Sequence, residues 1–270
     1  MQIGIRRILQ LFSATTVVLP IIIIGFISLF IMRNQLIRGV DEGSITLANS
    51  VASQITTYLK EPDATFNFLA KHLSEQPHSK ATLASILDNL TNAYSYFESV
   101  YLLDRHGIVR DVGFEKGEQL KKEDYLGMDF STLEICQRAL SEKRFQWQST
   151  LSVTRGEPSI SFCAPMADGT LLATLKLSSL GQIIKMASAS RGYKAFIVDR
   201  KGRIISHPDP NVVMYQDNIS NLPIISNALA GKASSGSFEF RNELYRGSAV
   251  KIEGFDWILV VSQNLDVAMA

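Results

Sequence analysis

The residues best equipped for chemistry crowd into one stretch, AFIVDRKGRIISHPDP, from Ala195 to Pro210. Asp199, His207 and Asp209 stand there among Arg200, Lys201 and Arg203, the side chains of a general acid–base pair or of a mixed carboxylate–histidine metal site. Neither chemistry finds its spacing. The four histidines, His72, His78, His106 and His207, are scattered, and no two lie one helical turn apart. Nucleophile-elbow, phosphate-loop and dinucleotide fingerprints do not occur. Cys136 and Cys163 lack ligand spacing; they read as two separate buried apolar residues, or as one bridge in an oxidising compartment. The chain carries no catalytic motif, and its residues imply no metal and no cofactor.

Binding is the chemistry that remains. A pocket for a small polar ligand needs an apolar or aromatic wall and a few converging polar groups. Trp147, in a strand-like run beside Gln146, Gln148 and Ser149, offers such a wall, or else packs a sheet. Asp129, with Ser131 after it, takes a ligand amine or caps the helix that follows. Arg144 brings a planar fork suited to a carboxylate, or stays solvated at a helix–strand boundary. Tyr101 and Arg110 flank a turn, and Tyr125 precedes LGMDF; each reaches a pocket or lies on the surface. The candidate ligand-binding set is therefore Trp147, Asp129, Arg144, Tyr101, Arg110, Tyr125 and Ser149. Tyr215, Asp217 and Arg246 are weaker counterparts later in the chain. With 27 Lys and Arg against 26 Asp and Glu, nothing points to a nucleic-acid partner.

The elements that hold these residues begin with Leu11 to Met32, an uncharged run of ~33 Å at helical rise, long enough to cross a bilayer core of ~30 Å. No small-residue cleavage site follows it, so it reads as an uncleaved anchor behind a short cytoplasmic segment, residues 1–10. Arg6 and Arg7 before the span place everything after Met32 outside the cytoplasm. Residues 33–94 read as a stalk and packing helices. Leu47, Val51, Ile55 and Leu59 form one apolar stripe, which suits a second copy of the chain or the flank of the domain it carries. EPD, Glu61 to Asp63, is expected to kink or interrupt the helix. A polar loop at EQPHSK separates it from a second helix, Lys80 to Tyr94.

From Ser95 the period changes to that of strands, and the pattern occurs twice. VYLLDRHGIV aligns with AFIVDRKGRI, placing Asp104 over Asp199 and Gly107 over Gly202. ALSEK finds its partner in ALAGK, and TLLATLKL in DWILVVSQ, in the same order. Each copy reads strand, turn, strand, helix, then a three-strand meander. The fold class is α+β: an anchor, a stalk helix and two tandem modules, 95–190 and 191–270, each an antiparallel sheet flanked by helices.

This plan resembles the double Cache sensor domains of bacterial transmembrane receptors, whose two PAS-like modules stack along a membrane-emergent helix. YLGMDFSTLEICQRALSEKRFQWQSTLSVTRGEPSISFCAPM is similar to the membrane-distal module's helix, loop and strands, and VDRKGRIISHPDP to the opening of the proximal module. The resemblance implies sensing: a small amino acid, carboxylate or amine bound in the distal module, with occupancy relayed by helix motion to a cytoplasmic kinase, cyclase or chemoreceptor output. It implies a bacterial inner-membrane location and a homodimer through the stalk. The amino-acid-binding subtype pairs an arginine and a tryptophan two apart, whereas Arg144 and Trp147 are three apart, so an amino-acid ligand stays open without support from this pair. The chain stops at SQNLDVAMA, where the family has a second membrane helix, and the reading frame is expected to continue. Two other readings stand beside the sensor: an anchored binding protein serving a partner transporter or receptor, and a hydrolase with a dispersed site.

Overall fold

The computed structural model describes residues 5–75, 79–115, 120–156, 158–189, 192–215 and 217–268; His78, in the loop after the long helix, lies outside them. That helix, α1 (Ile5–Glu75), is 71 residues long and holds both Pro20 and Pro62. From Val18 to Met32 every side chain is exposed, as an apolar segment is when lipid rather than protein surrounds it. The expected interruption at EPD does not occur. A proline inside a helix costs ~3 kcal/mol. Leu59 and Phe66 on either side of it are fully buried, and each such side chain contributes about 1.5–3 kcal/mol, so tertiary packing carries the helix through.

The stripe Val51, Ile55 and Leu59 packs on the chain's own sheets, within one core that runs along α1 past both modules. Of the two occupants the stripe suited, it is the carried domain that covers it. After α2 (Lys80–Ala93), capped by the Ser79 hydroxyl, comes the first sheet. Its strands are β1 (Phe97–Asp104), β2 (Val109–Phe114), β3 (Gln146–Leu151), β4 (Pro158–Met166) and β5 (Gly169–Lys176), in the order β2-β1-β5-β4-β3. Helix α3 (Glu134–Glu142) covers its outer face. Helix α4 (Ser178–Ser188) leads to the second sheet: β6 (Tyr193–Val198), β7 (Ile204–Ser206), β8 (Ser234–Phe240), β9 (Glu243–Lys251) and β10 (Ile258–Asn264). Its order, β7-β6-β10-β9-β8, repeats the first position for position. Helices α5 (Pro210–Met214) and α6 (Pro223–Leu229) lie between β7 and β8, and α7 (Leu265–Ala268) follows β10.

The duplication reaches individual side chains. Asp104 Oδ1 accepts from the backbone N–H of His106 and Ile108 at 2.8 and 3.0 Å; Asp199 Oδ1 accepts from Lys201 and Arg203, both at 2.9 Å. Arg110 Nε reaches Asp104 Oδ2 at 3.1 Å, and Arg203 Nε reaches Asp199 Oδ2 at 2.8 Å. These aspartates hold the β1–β2 and β6–β7 turns closed. Tyr101, Leu172 and Cys163 lie in register across the first sheet, as Phe196, Val260 and Ala249 do across the second.

Candidate functional site

Alternation along a strand sends neighbouring side chains to opposite faces. In the first sheet Val100, Phe162 and Ala173 face α1, so Tyr101, Cys163 and Leu172 face outward, where they meet Val112, Phe114, Tyr125, Phe130 and Cys136. One register step along, the same outer face turns polar. Ser99 pairs with Thr174, Thr174 with Ser161, and Ser161 with Gln148, a row across four adjacent strands. Ser99, Thr174 and Ser161 are all buried.

Buried hydroxyls in the middle of a sheet are costly unless something bonds them. Part of the need is met one register step along, where Ser161 Oγ lies 2.7 Å from Thr150 Oγ1. Two buried polar atoms have no partner within hydrogen-bond distance: Gln148 Oε1 in the row, and the Tyr101 hydroxyl beside it, which has Ser99 for a polar neighbour. Burial pushes the Tyr101 hydroxyl up from the usual phenol range, so it stays protonated and able to donate. An unfilled donor, an unfilled acceptor and a line of small hydroxyls facing aromatic rings suit a small, polar, multiply hydrogen-bonding molecule.

The structure divides the seven residues singled out from sequence. Tyr101 and Tyr125 come together on this face, ring centres 6.4 Å apart. Trp147 and Ser149 are on the opposite face of β3. There Trp147 packs against Phe255 at 4.8 Å and Trp257 at 5.0 Å, joining the two modules. Arg144, Trp147 and Ser149 do converge, on a cleft of about 200 Å3 between the modules that Arg203 and Trp257 also line. Arg144 is already matched to Glu142, Nε to Oε2 at 2.6 Å, and the same contact holds the Glu142 carboxyl below its usual range. Arg110 is exposed and bound to Asp104. Asp129 is exposed in a turn, accepting from the Ser131 N–H at 2.8 Å; the Ser131 hydroxyl and then that N–H hold its carboxyl low. Asn218 bonds the Ser220 N–H in the same way at 3.0 Å in the second module, so the turn belongs to the repeated frame. Among the described residues no group of three or more His, Cys, Asp and Glu could hold a metal ion.

Sequence reasoning passed over Ser99, Ser161 and Thr174. The signal was present: SVYLL, SISFC and ATLKL each set a small hydroxyl residue inside an otherwise apolar run. What was missing is the register that lines them up.

The family model of the Cache domain matches residues 30–270. No curated protein matches the chain. Among solved structures, the ligand-binding domain of the Pseudomonas aeruginosa PAO1 amino acid chemoreceptor PctB, in complex with L-arginine, is similar at a TM-score of 0.67 and 19% identity, over 86% of this chain and 98% of that one. The ligand-binding domain of the Pseudomonas fluorescens chemoreceptor CtaA, in complex with L-isoleucine, is similar at 0.65 and 21%, over 88% and 96%. That of the Pseudomonas aeruginosa PAO1 amino acid chemoreceptor PctC, in complex with GABA, is similar at 0.62 and 19%, over 81% and 97%. At these identities the likeness is one of fold.

Proposed function

The chain belongs to the Cache domain family, and we propose that it is the extracytoplasmic sensing part of a bacterial inner-membrane receptor, binding a small polar solute in its first module. The observation that carries this reading is α1. One continuous helix leaves the exposed apolar segment and then packs on the inner faces of both sheets. A change in the first sheet's packing is therefore a change in the packing of the element that crosses the membrane, which is the coupling a receptor needs.

The ligand class is that of amino acids and their near relatives, small carboxylates and amines. The polar row supports it, since Ser99, Thr174, Ser161 and Gln148 beside Tyr101 supply both donors and acceptors at amino-acid scale. Three solved domains of the same fold hold L-arginine, L-isoleucine and GABA, all of them amino acids. Occupancy passes along α1 to an output on the cytoplasmic side, carried by the same polypeptide or by a partner.

Thermal melting of the full chain in detergent, against a panel of amino acids, carboxylates and amines, tests the reading. A ligand at a hundredfold excess over its dissociation constant stabilises by about 2.7 kcal/mol. At least one panel member should raise the melt, and Ser161→Val, Thr174→Val and Tyr101→Phe should each abolish the shift while leaving the unliganded melt close to wild type. A flat panel, or a shift indifferent to all three changes, sinks it.

A further inference from the structure

We infer that the second module carries a ligand site of its own, built for a small aromatic carboxylate, on the face equivalent to the polar row of the first. There a cavity of about 400 Å3 opens between β6, β10, the β8–β9 hairpin and the segment from His207 to Val212. That volume lies within the range of small-molecule sites.

The row behind it differs from that of the first module. Lys194 pairs with Ser262, Ser262 with Gly247, and Gly247 with Gly236, the row that reads Ser99, Thr174, Ser161, Gln148 in the first module. Two positions that carry side chains in the first copy carry none in the second. The neighbouring row differs too: Phe196 stands where the first module has Tyr101, so the two faces select different chemistry.

Polar groups gather at one side of this cavity. Ser262 is 1% exposed, it lines the space, and its hydroxyl has no hydrogen-bond partner. An unmet buried hydroxyl is destabilising, and an acceptor on a ligand removes the cost. His207 lines the same space. The Asp209 N–H donates to its Nδ1 at 2.9 Å, which leaves the proton of the neutral ring on Nε2 as a donor. Lys194 Nζ donates to the Tyr245 hydroxyl at 2.9 Å and stands 3.9 Å from Glu243 Oε2, so the ammonium has further donors to give. The acidic side is already engaged. Glu243 accepts from the Tyr245 hydroxyl and from Asn264 Nδ2, and Arg241 is held by Asp217 at 2.9 Å.

Aromatic rings form the walls. Phe196 and Phe240 stack with centres 6.5 Å apart and planes 21° apart, and Phe238 and Tyr245 stack at 5.8 Å and 21°. An aromatic body suits a cavity walled by such rings. Donors from Lys194, His207 and Ser262 at one side and four rings around the rest describe a ligand with a carboxylate head and an aromatic body. The inference stands apart from the first-module reading, because no residue is shared between the two faces.

Isothermal titration of the full chain in lipid nanodiscs tests it, with phenylacetate, benzoate and indole-3-acetate as probes and 2-phenylethanol as the uncharged control. At least one acid should bind, one per chain, and the alcohol should give no heat. Lys194→Met, at a half-exposed position, should weaken binding by about tenfold or more, the loss of one charge-assisted hydrogen bond. Ser262→Ala, which removes only the unpartnered hydroxyl, should weaken it by roughly threefold or more without lowering the melt. Tyr101→Phe and Ser161→Val, which disable the first-module face, should leave it unchanged. Three silent acids, equal binding of acid and alcohol, wild-type affinity in Lys194→Met, or loss through Tyr101→Phe alone would each overturn the second site. The first three outcomes leave amino-acid binding at the first module untouched, and loss through Tyr101→Phe alone would move the acid to that first-module face.

Discussion

Arg246 on β9 grips Asp41 on α1 with two parallel hydrogen bonds, Nε to Oδ1 at 2.8 Å and Nη2 to Oδ2 at 2.7 Å. Just beyond it, the Ser44 and Ser248 hydroxyls meet at 2.7 Å in a buried contact between the same two elements. Asp41 lies nine positions past Met32, where the exposed apolar segment ends. The second sheet is thus tied to α1 at the point where the helix leaves the apolar segment. Fork-to-fork geometry makes this pair stronger than an ordinary surface ion pair, and both side chains are mostly shielded from water.

The clamp is expected to contribute about 1–2 kcal/mol. A double-mutant cycle on the full chain with Asp41→Asn, Arg246→Met and both together should give a coupling energy of about 1 kcal/mol or more. Additive losses would mean that the two groups do not sense each other. In an intact receptor, Arg246→Met should leave ligand affinity at the first module unchanged while weakening the output, since it loosens the helix from the sheet and touches neither ligand face.

Cys136 on α3 and Cys163 on β4 place their sulfurs 3.0 Å apart in the first module's outer core. Each is buried. The neighbouring Cys136 thiol, and then burial, push the Cys163 thiol up from its usual range, and burial alone screens Cys136, so both should resist iodoacetamide at neutral pH until the chain unfolds. Refolded from denaturant in oxidised glutathione, which accepts the two electrons and leaves as two reduced glutathiones, the then-accessible thiols should close an intramolecular disulfide. A bridge across 27 residues stabilises by about 3–4 kcal/mol in the chain-entropy account, and the oxidised protein should melt above the reduced one. Mass spectrometry that finds both thiols intact after such treatment would count against the pairing.

Gly107 and Gly202 occupy the same turn position in the two modules, at φ of +79° and +81°. A Cβ on Gly107 would stand 2.6 Å from Ser131 Cα, and one on Gly202 would stand 2.4 Å from Ser220 Cβ. Conformation and contact both oppose a side chain. Gly107→Ala and Gly202→Ala should each cost ~2 kcal/mol or more, read as a fall in the denaturation midpoint at constant slope. Gly181, inside α4 with open space around it, is the contrast: Gly181→Ala should stabilise by about 0.5–1 kcal/mol. Equal effects at all three positions would show that the turn contacts are not what the glycines serve.

The tandem plan was legible in sequence because its markers are local. Asp104 with Gly107, and Asp199 with Gly202, are turn chemistry, and turn chemistry is written in consecutive residues. The helix through Pro62 was not legible, because local rules stop a helix there and only the distant sheet that buries Leu59 and Phe66 overrides them. The polar row escaped for a related reason. Ser99, Thr174, Ser161 and Gln148 come from four strands, and only the register makes them neighbours. Trp147 stood out as an aromatic among polar strand residues, and that pattern does not show that its ring meets Phe255 and Trp257 of the other module.

His207 gives the second module a pH dependence with a definite sign. Burial outweighs the Asp209 carbonyl, 3.3 Å from Nδ1, and the Asp209 carboxylate, and the charges of Lys194 and Arg241 oppose protonation as well, so the folded ring titrates below the usual imidazole range. Glu243, which lines the cavity together with Lys194, Asp209 and Arg241, is matched to Tyr245 and Asn264. The unfolded chain therefore takes up a proton at this ring before the folded chain does. Stability is full above the unfolded value of ~6.5 and is lost as pH falls through it towards the lower folded value. Melting temperatures of the full chain between pH 7.5 and 5.5 should fall on acidification, and His207→Gln, which keeps a polar side chain but cannot titrate, should fall less. Parallel curves for the two proteins would mean that the ring is as easily protonated folded as unfolded, and would remove the half-buried neutral imidazole on which the donor at Nε2 depends.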